Sequence, residues 1–410
     1  MDLPVSPLAP ASFPDMPEVD GVRLAVAETG LKYRNRPDLL LAEFTPGTSV
    51  AGVLTRSAAP GNPVVWCRRH LPSGTARALV VNAGNANVFT GARGWQATEA
   101  MAEAAAAVTR CSPGEVMVAS TGVIGEPLDH GLISGQVATL GGNSSAAWRD
   151  AARAICTTDT FPKGASRTTR IGNVPVTIAG IAKGSGMIAP DMATMLAFIF
   201  TDARLDASVL QPLVRRNADA TFNATTVDGD TSTSDTLLLF ATGAAGHHPD
   251  ISDHRDRLLR PFEKTLHEVM LDLALQVVRD GEGARKLITI TVRGATSATA
   301  ARRIGKAIGN SPLVKTAVAG EDANWGRVVM AVGKSGEKAD RDRMSVSFGG
   351  IAIAREGSRV ADYDEEPVTR HMQGQEVEID VDVGVGRGRA TVWTCDLTHG
   401  YIEINADYRS

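Results

Sequence analysis

Cysteine is scarce and scattered in this chain. Four stand at 67, 111, 156 and 395 among 410 residues, and no two form a Cys-x-x-Cys pair. That leaves neither a zinc knuckle nor a dithiol redox motif. Buried free thiols in a reducing compartment are a simpler reading than two disulfides. The eight histidines show no His-Glu-x-x-His and no other metal-ligand spacing. His247-His248 lies in a polar stretch and reads as a surface loop. Neither sign of charge is in excess: 42 basic residues face 46 acidic ones, a net charge of −4. The clustered basic footprint that nucleic acid requires is missing. No apolar run approaches the roughly 18 residues that cross a bilayer. The opening MDLPVSPLAPASFPDMP has five prolines in 17 positions. It lacks the charged and apolar regions of a signal peptide and reads as an extended arm. These absences point to a cytoplasmic, enzyme-sized protein without metal, membrane or nucleic-acid partner.

What is present is ordinary globular material, 43% hydrophobic and 21% charged. At roughly 150 residues per domain, the length suits two or three units. Residues 77–83 read as a strand entering the Gly/Asn loop 82–87. Residues 96–109 are rich in Ala and Glu, which form helices well. Residues 115–119 read as a strand feeding a turn at Ser120-Thr121-Gly122. Residues 194–201 and 236–240 are apolar strands, and 206–219 is a helix with Asp206 at its N-cap. Leu266, Val269, Met270, Leu273 and Val277 make one apolar helical stripe, which should stop near Gly281. Residues 287–293, 344–354 and 376–386 alternate as half-buried strands, and 401–405 reads as a closing strand. The polar, small-residue stretch 294–310 reads as a joint. Strands do not alternate strictly with helices, so the expected class is α+β with several sheets rather than a doubly wound parallel sheet.

The stretch richest in chemical possibility is KGSGMIAPDMATML, Lys183 to Leu196. A β-branched Thr194 at a strand start is ordinary on its own. A Thr hydroxyl becomes an effective nucleophile when its residue is the first of a chain. Its own α-amine, with a pKa of about 7.7–8.0, can then take the hydroxyl proton. That requires a cut between Ala193 and Thr194, which spacing cannot establish. Ser120-Thr121-Gly122 alone is a plain turn. Asp228, Asp230 and Asp235 in TVDGDTSTSD lack the spacing of a calcium loop and read as a hydrogen-bonded loop near the site. Trp325 and Arg327 in NWGR suit packing at least as well as substrate contact.

These blocks, together with SFPDMP, TRS at 55–57, NAGNANVFTG, STGVIG, TTDTFPK, TFNATTVDGDTSTSDT, VRDGEGA, SPLVKTA, GEDANWGR and the terminal NADYRS, resemble the ornithine acetyltransferase family. These are the glutamate N-acetyltransferases of arginine biosynthesis. The resemblance spans essentially the whole chain. It implies an α+β layered sandwich, a DmpA/ArgJ-like fold with an N-terminal nucleophile. It further implies self-cleavage between Ala193 and Thr194 into chains 1–193 and 194–410. Within the second, 194–293 would complete the catalytic core and about 294–410 would form a C-terminal unit. Thr194 matches the nucleophile, and Thr121 and Gly122 match the oxyanion-stabilising pair. Thr157, Lys183, Thr194, Glu282, Asn405 and Ser410 match the substrate-binding set. The implied substrates are N2-acetyl-L-ornithine and L-glutamate, handled in ping-pong fashion through an acetyl-threonine. No cofactor is implied, although acetyl-CoA is a possible co-substrate. The implied assembly is a heterotetramer of two of each fragment. Three other readings compete: a self-cleaving amidase or aminopeptidase, a secondary-metabolism acyltransferase, and an uncleaved amino-acid-binding module.

Overall fold

The structure, a computed structural model, describes residues 3–141, 145–189, 195–361 and 363–406. Ala193, Thr194 and Ser410 lie outside the described residues. The strands in chain order are β1 Val22–Ala27, β2 Leu39–Phe44, β3 Ser49–Leu54, β4 Ala78–Asn85, β5 Val116–Val123, β6 Lys163–Ile171, β7 Val174–Lys183 and β8 Leu196–Thr201. They continue with β9 Thr236–Ala241, β10 Leu287–Ala295, β11 Ser345–Phe348, β12 Ile351–Arg355, β13 Ser358–Arg359, β14 Glu376–Asp382 and β15 Gly388–Cys395. They form three sheets, in the orders β1-β2-β4-β5, β3-β9-β8-β7-β6 and β13-β12-β11-β14-β10-β15.

The first two sheets pack face to face. Alternation decides which side chains meet: Phe198, Phe200, Leu238 and Phe240 point to the shared core with Leu40, Ala42 and Phe44. Phe44 stacks on Phe240 with ring centroids 4.4 Å apart. The opposite face of the second sheet presents Ile178, Ile199, Leu237 and Leu239 to the helices Ala207–Ala220 and Arg260–Arg279. Helix Gly91–Thr109 covers the outer side of the first sheet through Ala97, Met101, Ala102 and Ala105. The result is a four-layer helix–sheet–sheet–helix sandwich, as the α+β expectation required. Such double coverage explains the apolar runs 78–81 of β4, 196–200 of β8 and 237–241 of β9: each residue of these strands is buried. The predicted stripe on Arg260–Arg279 is buried throughout, and Asp280 caps its end. Asp206 does sit at the N-cap of its helix, but its side chain makes no capping bond.

Four expectations are corrected. Residues 401–405 are helical, within His399–Ala406. Five alternating residues fit either period, and here the Tyr401 N–H bonds back to the Thr398 carbonyl at 3.3 Å rather than to a strand. The stretch 294–310 is no joint: it carries the end of β10 and the helix Ala298–Gly309, capped by Ser297. Its small residues permit close packing, since a Cβ on Gly305 would stand 2.7 Å from Val392. Thr121 and Gly122 belong to β5 itself rather than to a turn after it. His248 is fully buried, its Nε2 accepting from the Arg204 N–H at 3.1 Å. The proline-rich start has no regular structure from residue 3 to 19, yet it lies on the body, with Leu8, Met16 and Val19 buried. All four cysteines are free. Among the described residues no helix is long and apolar enough to cross a membrane.

Candidate active site

β4 and β5 run parallel, with Gly84 opposite Gly122 and a register shift just beyond. Gly122 has φ +130°, and a Cβ there would stand 2.3 Å from the Gly84 carbonyl carbon. Only glycine adopts this conformation and permits so close an approach. The strand tips are held from below. The Ser120 hydroxyl donates to Asn82 Oδ1 at 2.5 Å, and Asn82 Nδ2 donates to the Asn85 carbonyl at 2.9 Å.

Lys183 ends β7, opposite Leu196 at the start of β8. Its ammonium donates to Thr121 Oγ1 at 3.2 Å, and both residues are buried. A hydroxyl that accepts from a cation keeps its own O–H for donation elsewhere. Thr121 is therefore set up as a donor, beside the backbone of Gly122.

Glu282 follows the C-terminus of helix Arg260–Arg279. Its carboxyl accepts from Thr158 Oγ1 at 3.0 Å and from Asn405 Nδ2 at 2.7 Å. Burial raises its pKa, against those two hydrogen bonds. The Ser185 carbonyl takes its backbone N–H at 3.0 Å, and Gly186 leaves room for it, since a Cβ there would stand 2.5 Å from the carboxyl group.

One cavity of about 290 Å³ collects these groups: Thr121, Gly122, Thr157, Lys183, Glu282 and Asn405 all line it. These are the six sequence-predicted site residues that lie among the described ones. A larger cavity of about 490 Å³, under the arm at 3–7, shares Thr158 and Glu282 but none of Thr121, Gly122 or Lys183. The smaller cavity is the candidate site. The Asp228 loop adjoins it as expected, accepting from the Met187 and Ile188 N–H groups at 2.5 and 2.9 Å. Trp325 and Arg327 do not line it. Arg327 instead donates to the Leu313 carbonyl at 2.8 Å. No three His, Cys, Asp or Glu side chains among the described residues are grouped to hold a metal.

Sequence reasoning missed the foundation of the site. Lys163 is wholly buried between Asp159 and Asp280, 2.6 Å from each. Asp159 also accepts from the Thr157 and Gly184 N–H groups at 2.9 and 2.7 Å. Asp280 also accepts from the Thr160 N–H at 2.9 Å. This charged triad ties together the three segments that carry Thr157, Lys183 and Glu282. Lys163 opens a largely polar strand, KGASRTTRI, where a lysine is unremarkable, and its partners stand 4 and 117 positions away. Thr158 and Ser185, whose hydroxyls lie 2.6 Å apart, were missed as well.

A cavity that gathers a hydroxyl, a glycine backbone, a cation and a carboxylate suits an enzyme that transfers acyl groups between amino-acid substrates. The comparisons narrow that class. The chain matches the ArgJ family model over residues 23–410. It is 58% identical over 413 aligned residues to the arginine biosynthesis bifunctional protein ArgJ of Mesorhizobium japonicum, covering all of both chains. It is 58% identical over 409 residues to that of Gluconobacter oxydans, covering all of this chain and 96% of the other. Among solved structures, arginine biosynthesis bifunctional protein argJ from Bacillus halodurans aligns with a TM-score of 0.50 and 38% identity, covering 52% of this chain and 99% of that one. The chain belongs to the ArgJ family.

Proposed function

We propose that the chain transfers an acetyl group from N2-acetyl-L-ornithine to L-glutamate in arginine biosynthesis, and also acetylates glutamate with acetyl-CoA as a co-substrate, without a resident cofactor. The observation that carries this reading is the single cavity with Lys183, Thr121 and Gly122 on one side and Glu282 with Asn405 on another. Relatives bearing the bifunctional name over their whole length support it.

The chain cuts itself between Ala193 and Thr194, which frees the Thr194 amine. Thr194 Oγ attacks the acetyl carbonyl while its proton passes to that amine. The Thr121 hydroxyl and the Gly122 N–H take the negative charge of the tetrahedral oxyanion, where preorganised donors contribute most. Collapse expels ornithine with the proton and leaves acetyl-Thr194. The glutamate amine then attacks the ester and departs as N-acetylglutamate. Lys183 suits a substrate carboxylate and Glu282 a substrate ammonium. Thr157, Asn405 and Ser410 supply neutral hydrogen bonds. A solved family chain is matched over 99% of its length by 52% of this one. That is the size of a single fragment, and it supports the cut. The fragments of 193 and 217 residues assemble two plus two.

Incubating the enzyme with acetylornithine and glutamate, and separately with acetyl-CoA and glutamate, tests the reading. Acetylglutamate is the expected product of both reactions. Free acetate as the main product at saturating glutamate would instead mark a hydrolase. Gly186→Ala is expected to raise KM for acetylornithine about tenfold or more in steady-state kinetics, because its Cβ must displace the Glu282 carboxyl and small misplacements are costly. An unchanged KM would remove Glu282 from substrate binding.

A further inference from the structure

Asp235 is an acid that none of the chemistry above uses. It is 1% exposed, and its Oδ2 has no hydrogen-bond partner among the described residues. Native structures rarely leave a buried carboxyl oxygen unpaired, because the desolvation is costly. Burial pushes its carboxyl well above the usual range, opposed by the Ser232 hydroxyl, the Lys183 charge and the Thr55 hydroxyl. Lys183 is the charged side chain among the described residues that bears on it.

Its place in the fold is informative. Asp235 immediately precedes β9. The next residue, Thr236, donates its N–H to the Met195 carbonyl at 3.0 Å. Thr236 also faces Leu196 in the parallel β8–β9 register. Thr194 is bonded to Met195. Ser232, Thr233 and Ser234, just before Asp235, line the cavity, and Ser234 Oγ is likewise buried without a partner among the described residues. Residue 194 lies outside the described residues, but one peptide link, about 3.8 Å between Cα atoms, joins it to Met195, and the residue that holds the Met195 carbonyl directly follows this carboxyl with its unmatched oxygen.

We propose that Asp235 is the carboxylate partner of the amino group exposed at Thr194, a positioning residue that holds the ammonium formed during acyl transfer. This rests on the self-cleaving reading above. As the Oγ–carbon bond forms, the carbonyl π pair moves onto oxygen and the Oγ proton moves to the amine. The resulting ammonium gains Asp235 as its counter-charge, then returns the proton to the departing ornithine nitrogen. In the uncut chain a peptide nitrogen stands at 194 and brings no positive charge, so the acid has nothing to pair with there.

Asp235→Asn keeps the shape and removes the charge. The variant is expected to be cut, by intact mass, and to lose kcat at least about tenfold. The acidic midpoint of its kcat/KM profile should move down by about one unit, because an opposite charge had held the amine's pKa up. A packing role would lower activity without moving that midpoint. A second measurement does not depend on this variant folding. The infrared band of a buried protonated carboxyl should appear in uncut Thr194→Ala and be missing from cut wild type. Wild type that stays uncut overturns both the self-cleaving reading and this one. Cut wild type beside an Asp235→Asn chain that stays uncut or keeps its midpoint overturns the role of Asp235 alone, as does the same carbonyl band in both proteins.

Discussion

Thr194→Ala should remain one chain of 410 residues and lose acetyl transfer by about 10⁶-fold, the scale on which removal of a catalytic nucleophile acts. The two losses have one cause. The hydroxyl that would attack the Ala193 carbonyl and the hydroxyl that would accept the acetyl group are the same atom. Neighbouring groups cannot substitute for it. The Thr121 hydroxyl is engaged by the Lys183 ammonium at 3.2 Å, and no α-amine lies beside it to act as a base. Intact mass reads the cut, and acetylglutamate formation reads the transfer. A variant that stays whole but turns over normally would return Thr194 to the ordinary role of a strand-opening residue.

Lys163→Met should be the most damaging change away from the chemistry. In the wild type, burial would raise Asp159, but Lys163 and then Lys183 outweigh it and hold its carboxyl below the usual range. Burial raises Asp280 against the pull of Lys163. Burial would also lower the Lys163 amine, yet the two carboxylates keep it above its ordinary value. Removing the cation leaves two desolvated carboxyls facing each other, and breaking such a pairing costs about 3–5 kcal/mol. Denaturant unfolding should show that loss. Its pH dependence has a definite sign. Without Lys163 a carboxyl must bind a proton to fold, so its folded pKa rises further above the unfolded value. Stability from such a group is complete below the unfolded pKa and is lost as pH climbs through the folded one. The deficit should therefore be smaller at about pH 5 than at about pH 8. A deficit that stays flat across that range would mean that packing alone, not charge, is at stake.

The sequence was legible where burial imposes a simple period. Strands covered on both faces carried apolar runs, as in β8 and β9, and the helix ending at Arg279 showed its single stripe. Residues 401–405 misled because five positions are too few to separate a period of 2 from one of 3.6. The small residues of 298–309 resembled a linker because Ala and Gly serve close packing as readily as flexibility. At the site, residue types and order were visible only through family likeness. The backbone of Gly122, held at φ +130° against Gly84, leaves no trace in composition. Neither does the pairing of Lys163 with an aspartate 117 positions away, or the unmatched oxygen of Asp235.

The strand order of the second sheet, β3-β9-β8-β7-β6, has a consequence for an enzyme cut as proposed before Thr194. β3, β7 and β6 lie upstream of residue 194, and β8 and β9 lie downstream, so the two polypeptides are interleaved like the fingers of clasped hands. Neither can leave without dissolving six-residue ladders on both flanks of the β8–β9 pair. Once denatured after the cut, the halves must find each other again. Recovery should then depend on concentration, a one-way step that the newly made, unbroken chain never faces.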